Sequence, residues 1–491
     1  MPGEPAPARP ERQEIAPGLT ISRIVTGLWQ VADMERGGAT VDLDATAAAL
    51  AAYVADGFDS FDMADHYGSA ELIAGRLLAR ARSDGPRPVV LTKWCPPPGP
   101  MTEEVVRSGI AERLERLGTE RIDLLQLHWW TFEHPAYLDA MKELTQLRAQ
   151  GAIGQLGVTN FDTNHLRLLR RHGFPVLTNQ VCISLLDRRA TEALGPFCAA
   201  EGVHLLAYGT LAGGFLCERW LDQPEPTQVG DWSKMKYKRF IDAAGGWTLF
   251  QELLRTLAGI ARRHDVSIAN VATRWVLDQP GVAAVIVGAR PGEREHRADN
   301  GRVFAFALDE ADRAAIAKVT GRMRRIPGDC GDEYRRPPFL TATGDLSHHL
   351  DGVARPFEAQ PVAGRSDRWR VGSGSVWEAI GGYSRAVRVG DRILVAGTTA
   401  THGAGELVCP GDVAGQTVYI LDKIAAAVAA LGGSLSDVVR TRIYLRDVRQ
   451  WEAAARVHGS YFAEIRPANT LVQAALVGAY EVEIEAEAVL S

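Results

Sequence analysis

The chain is 491 residues long, 46% hydrophobic and 23% charged, with a formal net charge of −6. Such a length exceeds one ordinary core and predicts several domains, while the composition is that of a globular protein. A mildly acidic balance without a basic stripe excludes nucleic acid as an expected partner. Six cysteines, at 95, 182, 198, 217, 330 and 409, form no C-x-x-C pair. They read as reduced thiols, neither a disulfide frame nor a metal site. No apolar run approaches the roughly 20 residues of a membrane span, and the stretch MPGEPAPARPERQE lacks an apolar signal core. The expectation is a cytoplasmic protein with no membrane partner.

From about residue 19 to 320, short apolar runs alternate with helical patterns. The runs are LTISRIV (19–25), GFDSFD (57–62), PVVLTK (88–93), IDLLQLH (122–128), IGQLGVTN (153–160), PVLTNQ (175–180), VHLLAYG (203–209) and VAAVIVG (282–288). Near-continuous hydrophobicity marks strands buried on both faces. Between them, ATAAALAAYVADG (45–57) and EEVVRSGIAERLERLG (103–118) carry apolar residues near helical spacing and stop at glycine. Eight such units predict an α/β fold, a (β/α)8 TIM barrel. No G-x-G-x-x-G follows the first strand, which disfavours a doubly wound sheet.

The rhythm is lost over 321–368, rich in Pro, Gly, Asp and Arg, and a linker is expected at 351–367. Beyond it, SRAVRVGDRILVAGTT (384–399) reads as two strands about a Gly-Asp turn, and residues 415–433 as an amphipathic helix. A strand at 438–447, a helix at 449–465 and closing strands to 489 follow, a compact α+β domain over 368–491. Alternation in EVEIEAEA suits a sheet with one wet face.

Chemistry in a TIM barrel gathers at the C-terminal strand ends. Those positions hold Asp62 and Tyr67 after the second strand, Lys93 at the third and His128 at the fourth. Each alone has a structural explanation; together they form a constellation. A phenol titrates near 10 and is a weak acid at neutral pH, but an adjacent ammonium makes it a better proton donor. Asp62 would keep a buried lysine charged, and His128 would orient a carbonyl oxygen. The set suits proton delivery to that oxygen as hydride reaches its carbon.

The ordered motifs GFDSFDMADHYGSAE, LTKW, DLLQLHWW, LGVTNFD, AYGTLAGGFL and VIVGAR resemble the aldo-keto reductase family. The resemblance implies a (β/α)8 barrel over about residues 17–350 and the tetrad Asp62, Tyr67, Lys93 and His128. It implies a nicotinamide cofactor, NADPH with NADH as the other possibility. Thr159, Asn160 and Gln180 would hold the carboxamide, Tyr208 would stack on the ring, and Gly209–Leu211 would line the pyrophosphate. Gly288, Arg290 and Asn300 would flank the adenosine end. Hydroxyl and amide side chains match a carboxamide's donors and acceptors; Arg290 is either a partner of a 2′-phosphate or a surface arginine. Trp29, His66, Trp94, Trp129 and Trp130 are expected as an aromatic rim around the substrate, or in part as core.

Residues 374–489, with VWEAIGGYSRAVRVGDRILVAGTT, DVVRTRIYLRD and VEIEAEA, resemble the Rid (reactive-intermediate deaminase, YjgF) family. That implies trimers whose clefts lie between subunits and hydrolyse enamines and imines, with Tyr383 and Glu483 in the cleft. Asn469 stands where deaminase members carry an arginine, and it cannot make the bidentate ionic pair with a carboxylate. Three readings follow. The chain is a reductase of a small carbonyl compound whose Rid-like domain assembles it as a trimer or dimer of trimers; or a coupled enzyme acting on an enamine or imine and on the related carbonyl; or a non-catalytic nicotinamide sensor, which the intact tetrad argues against.

Overall fold

The computed structural model describes residues 9–32, 41–84, 86–230, 232–292, 295–335 and 354–490. The start of the proline-rich N-terminus, the boundary expected near 350 and the first residues of the expected linker lie outside them.

Strands β1 (Arg12–Ala16) and β2 (Leu19–Ser22) form an antiparallel hairpin. Eight parallel strands then close a barrel: β3 (Ile24–Gly27), β4 (Ser60–Asp62), β5 (Val89–Trp94), β6 (Ile122–His128), β7 (Ile153–Thr159), β8 (Val176–Cys182), β9 (His204–Tyr208) and β10 (Val282–Gly288). Closure sets Gly288 beside Gly27. The expected strand at 19–25 is two strands, because the chain breaks at Arg23. There the guanidinium is drawn onto the carbonyls of Ala283 (3.1 Å) and Leu277 (3.0 Å). The hairpin's Ile15, Leu19 and Ile21 pack with Val25, Leu91 and Leu124 where the barrel strands begin, so the mouth at their far end stays clear. Helix Leu43–Ala55 starts at the Asp42 cap, and helix Glu103–Leu117 runs from the Thr102 cap to Gly118 in the left-handed region.

The C-terminal sheet comprises β11 (Ala359–Val362), β12 (Arg365–Val371), β13 (Ala386–Val389), β14 (Arg392–Thr399), β17 (Val438–Leu445), β18 (Ala468–Gln473) and β19 (Val482–Val489), with a small hairpin β15 (Thr401–His402) and β16 (Glu406–Leu407) beside it. Its order is β11-β12-β13-β14-β19-β17-β18. Half of the described part of the expected linker is therefore strand. Its Pro361 is accommodated because β11 is an edge, where a missing N–H costs no ladder bond. Along β19, Val482, Ile484, Ala486 and Ala488 are buried and the glutamates between them face outward.

Helix Val413–Ala430 departs from the amphipathic expectation: 94% of it is buried. It is long and apolar enough to cross a membrane, but it packs on β14 and β19 and also on barrel helix Thr163–Arg171. A helix buried on every side has no wet stripe to keep polar. At this junction His165 bridges the two halves. Its Nδ1 meets Asp162 Oδ2 at 2.6 Å and its Nε2 meets Asp422 Oδ2 at 2.9 Å, while Tyr461 donates to Asp422 at 2.6 Å. Phe132 stacks on its ring at 3.5 Å, and the Arg335 guanidinium lies over Phe132 at 4.3 Å. His402 meets Asp139 at 2.9 Å farther along.

Burial opposes charge on His165, but Asp162 and Asp422 outweigh it and hold the imidazolium up to about pH 9. With an unfolded value near 6.5, the stabilisation is complete below about pH 6.5 and is lost as pH rises towards 9. Thermal stability is expected to fall as pH rises across that window. In Asp422→Asn the loss across the window should shrink, and stability at pH 6 should fall by roughly 3–5 kcal/mol, the cost of breaking a buried pair. An Asp422→Asn curve parallel to the parent's would show that this clamp is not what titrates.

Candidate functional site

Successive strand side chains point to opposite faces, so only alternate residues meet inside the barrel mouth. Asp62, Tyr67, Lys93 and His128 meet there, lining one cavity of about 610 Å³. Lys93 Nζ donates to both Asp62 oxygens at 2.8 Å, and Gln180 Nε2 donates to Asp62 Oδ1 at 2.7 Å. The ammonium stands 4.9 Å from the centre of the Tyr67 ring. Both ions are 3% exposed, a burial that only the pairing makes tolerable.

The turn that carries Tyr67 is built by its own acids. Asp65 accepts from the Cys95 backbone N–H at 2.8 Å and meets His66 Nδ1 at 3.0 Å. Glu71, fully buried, accepts from Thr92, Arg113 and Arg116 and ties the following helix to β5 and its neighbour. Trp29 and His66 then hold the Tyr67 ring edge-on at 4.7 and 4.8 Å.

His128 is buried against Trp130 at 4.1 Å, and among the described residues its Nε2 has no hydrogen-bond partner. Burial first, then the charges of Arg335, His66, Lys93 and Lys236, push its pKa well below the usual imidazole value. The ring is neutral at pH 7, so it can orient an oxygen but is no reservoir of acid.

The nine residues expected at a cofactor line the same cavity: Thr159, Asn160, Gln180, Tyr208, Gly209, Leu211, Gly288, Arg290 and Asn300. Thr159 Oγ1 is buried and without a partner among the described residues. Asn160 takes a left-handed backbone, its carbonyl accepting from Arg335 at 2.8 Å and its Oδ1 from the Tyr208 hydroxyl at 2.8 Å. At Gly209, φ is 71° and a Cβ would collide with the Tyr237 hydroxyl; at Gly288 it would come within 2.9 Å of Gln30. The cavity thus runs from the tetrad to Arg290 and Asn300, with no room for a Cβ at Gly209 or Gly288. A nicotinamide dinucleotide fits that shape and donor set.

The aromatic rim needs correction. Trp29, His66 and Trp130 line the cavity, whereas Trp94 and Trp129 do not. Each follows an inward residue, Lys93 or His128, and therefore points out of the barrel. Trp94 packs on Gly109 of helix Glu103–Leu117, and Trp129 donates to the His134 carbonyl at 2.9 Å. The sequence reading missed Lys236 and Tyr334, which complete the wall. Tyr334 comes from the stretch after 320 that has lost the strand–helix rhythm, and Lys236 from the long excursion between β9 and β10, so no periodic signal marked either one.

In the C-terminal domain, Arg385 lies 5.8 Å from the Tyr383 ring and draws on Glu483, which burial raises above the usual carboxylate range. Asn469 is elsewhere. Glu483 stands opposite Tyr444 of β17, itself opposite Val472 of β18, three residues along from Asn469. Asn469 donates to Thr441 Oγ1 at 2.9 Å, which meets His458 at 2.9 Å. One chain does not bring Asn469 to Glu483.

The Aldo/keto reductase family matches residues 23–320, and the Endoribonuclease L-PSP family matches residues 374–490. Aldo-keto reductase YhdN of Bacillus subtilis is 27% identical over 345 residues, covering 65% of this chain and 96% of that protein. The solved glycerol dehydrogenase of Gluconobacter oxydans shares the fold, with a TM-score of 0.52 and 23% identity over 66% of this chain and 98% of its own. A solved YjgF/YER057c/UK114 family member from Mycobacterium tuberculosis is 43% identical over 25% of this chain and 99% of its own, with a TM-score of 0.23. The chain belongs to the aldo/keto reductase family of oxidoreductases and carries a C-terminal domain of the Rid/YjgF kind.

Proposed function

We propose that this oxidoreductase reduces an aldehyde or ketone with NADPH, and that Tyr67 delivers the proton. The observation that carries the reading is the Lys93–Asp62 pair beneath the Tyr67 ring, in one cavity with the unpartnered His128 Nε2. A bound nicotinamide would supply hydride; Thr159, Asn160 and Tyr208 would hold it. The Lys93 charge favours the phenolate that Tyr67 becomes on giving up its proton. Asp62 keeps that lysine charged, and neutral His128 positions the carbonyl oxygen for the transfer.

Tyr67→Phe is expected to lower kcat by about 10²–10⁴-fold, the range for general acid catalysis, with cofactor affinity held within about twofold. Near-parental turnover in that variant would sink the tetrad. Arg290 is read as the partner of the 2′-phosphate. Arg290→Ala should weaken NADPH binding about ten- to a hundredfold, as for a lost charge-assisted contact, and leave NADH binding nearly unaltered. Equal losses would make Arg290 structural.

The C-terminal domain, divided from the barrel near residue 350, is read as the assembly module. Its helical face is taken up by the barrel, and its other sheet face is open. That face carries half-exposed Leu394 and Val472 around an ion-pair ladder of Arg442 with Glu485 (2.9 Å) and Glu487 (3.3 Å). Light scattering on the full chain should give about three or six times its 53.3 kDa. Leu394→Glu with Val472→Glu should reduce it to one, whereas a monomeric parent chain would overturn the assembly role.

A further inference from the structure

Asn160 is held from outside the cavity that it lines. Its backbone is left-handed, with φ at 60°, a conformation that residues with a Cβ adopt sparingly and keep where neighbours hold it. The Asn160 N–H donates to the Gln180 carbonyl at 2.8 Å, and its own carbonyl accepts from Arg335 at 2.8 Å. A Cβ at Gly331 would strike that carbonyl. Two residues on, Asp162 caps helix Thr163–Arg171 by accepting from the His165 backbone N–H at 3.0 Å.

Arg335 and Asp162 both lead to the His165 imidazole. Asp162 Oδ2 meets its Nδ1 at 2.6 Å. Phe132 stacks on its ring at 3.5 Å, 10° from parallel, and the Arg335 guanidinium lies over Phe132 at 4.3 Å. The C-terminal domain fixes the remaining nitrogen: Asp422 Oδ2 meets Nε2 at 2.9 Å, and Tyr461 donates to the other Asp422 oxygen at 2.6 Å. Joining the two domains does not require this clamp. Helix Val413–Ala430 already packs its apolar surface on the barrel, and a buried ion pair adds little to such a junction that apolar side chains would not. What the clamp does add is a defined place for His165, and with it for Asp162 and Phe132.

We propose that Asp422 and His165 are positioning residues for the cofactor grip. They act on Asn160 through the Asp162 cap and through the Phe132–Arg335 stack, so that the C-terminal domain tightens the barrel's hold on its nicotinamide. This rests on the reductase reading above, in which Asn160 holds the carboxamide. Neither His165 nor Asp422 lines the cavity, and neither touches the cofactor. The C-terminal domain thereby serves the reaction centre of its own chain, apart from any part in assembly.

The test is binding of NADPH and NADH to the full chain, titrated by fluorescence without a carbonyl substrate, in the parent, Asp422→Asn and Asp139→Asn. Asp422→Asn should weaken both cofactors by about three- to thirtyfold, the range for a residue coupled to a site that it does not touch. Asp139 pairs with His402 across the same junction but off the route to Asn160, and Asp139→Asn should stay within about twofold of the parent. Hydrogen exchange gives the local readout. In Asp422→Asn the Asn160 and Phe161 amides should lose more protection than those of β5 and β6, which report global opening. Parental affinity in Asp422→Asn, an equal loss in Asp139→Asn, or a loss of affinity with those two amides no more exposed than the rest would overturn the inference and leave the reductase reading standing. If Asp422→Asn does not fold, Tyr461→Phe replaces it, removing a hydroxyl from the same carboxylate while keeping the ion pair. That variant should weaken binding by about twofold or more, and parental affinity there would overturn the inference. A parent chain that binds neither cofactor would overturn the cofactor reading and the inference with it.

Discussion

The ion pair between Lys93 and Asp62 is the constraint around which this site is organised. An ammonium at 3% exposure stays charged only if a carboxylate meets it there. The barrel supplies that carboxylate from the adjacent strand, and β8 adds the Gln180 amide to hold it. Once the pair is in place, the Tyr67 ring has a cation beneath it and His128 has another reason to remain neutral. In the proposed reaction, the acid and the orienting group are thereby separated by environment. The hairpin that plugs the opposite end leaves the mouth as the open end of the barrel.

The C-terminal domain is joined to that mouth by more than a chain segment. Asp422 touches His165, His165 stacks on Phe132, Phe132 lies under Arg335, and Arg335 holds the carbonyl of Asn160. Asn160 in turn receives the Tyr208 hydroxyl. Five contacts thus connect a helix of one domain to a residue proposed to grip the cofactor in the other. The apolar helix Val413–Ala430 is the price of this union: it serves two cores at once and has no solvent face of its own. The open side of the C-terminal sheet is correspondingly spared.

The wall of the cavity is finished by segments that are neither strand nor barrel helix. Glu333, Tyr334 and Arg335 come from one short helix beyond the barrel, and Lys236 comes from the long excursion between β9 and β10. Their buried network with Arg189 and Asp187 draws on three separate stretches of chain. Placing so many charges together is stable because Arg189 and Lys236 meet the carboxylates of Asp187 and Glu333.

What the sequence determined by itself was whatever repeats or follows a local rule. Eight apolar runs separated by capped helices dictated the barrel, and the alternation along β19 dictated a sheet with one wet face. The proposed tetrad was legible because Asp62, Lys93 and His128 end runs and Tyr67 sits on the turn after one, where barrel chemistry gathers. Arg23 was not: its guanidinium breaks a strand only because distant carbonyls of Leu277 and Ala283 attract it. Trp94 and Trp129 looked like rim residues, yet one residue's shift along a strand turns a side chain to the other face. Pro and Gly concealed β11, since an edge strand tolerates what an interior strand does not. Only the tertiary structure decided that Tyr334 and Lys236 line the cavity at the barrel mouth, and that Asp422 reaches His165. These pairs lie 98 and 257 residues apart, and no local periodicity encodes a contact that exists only after the chain has closed on itself.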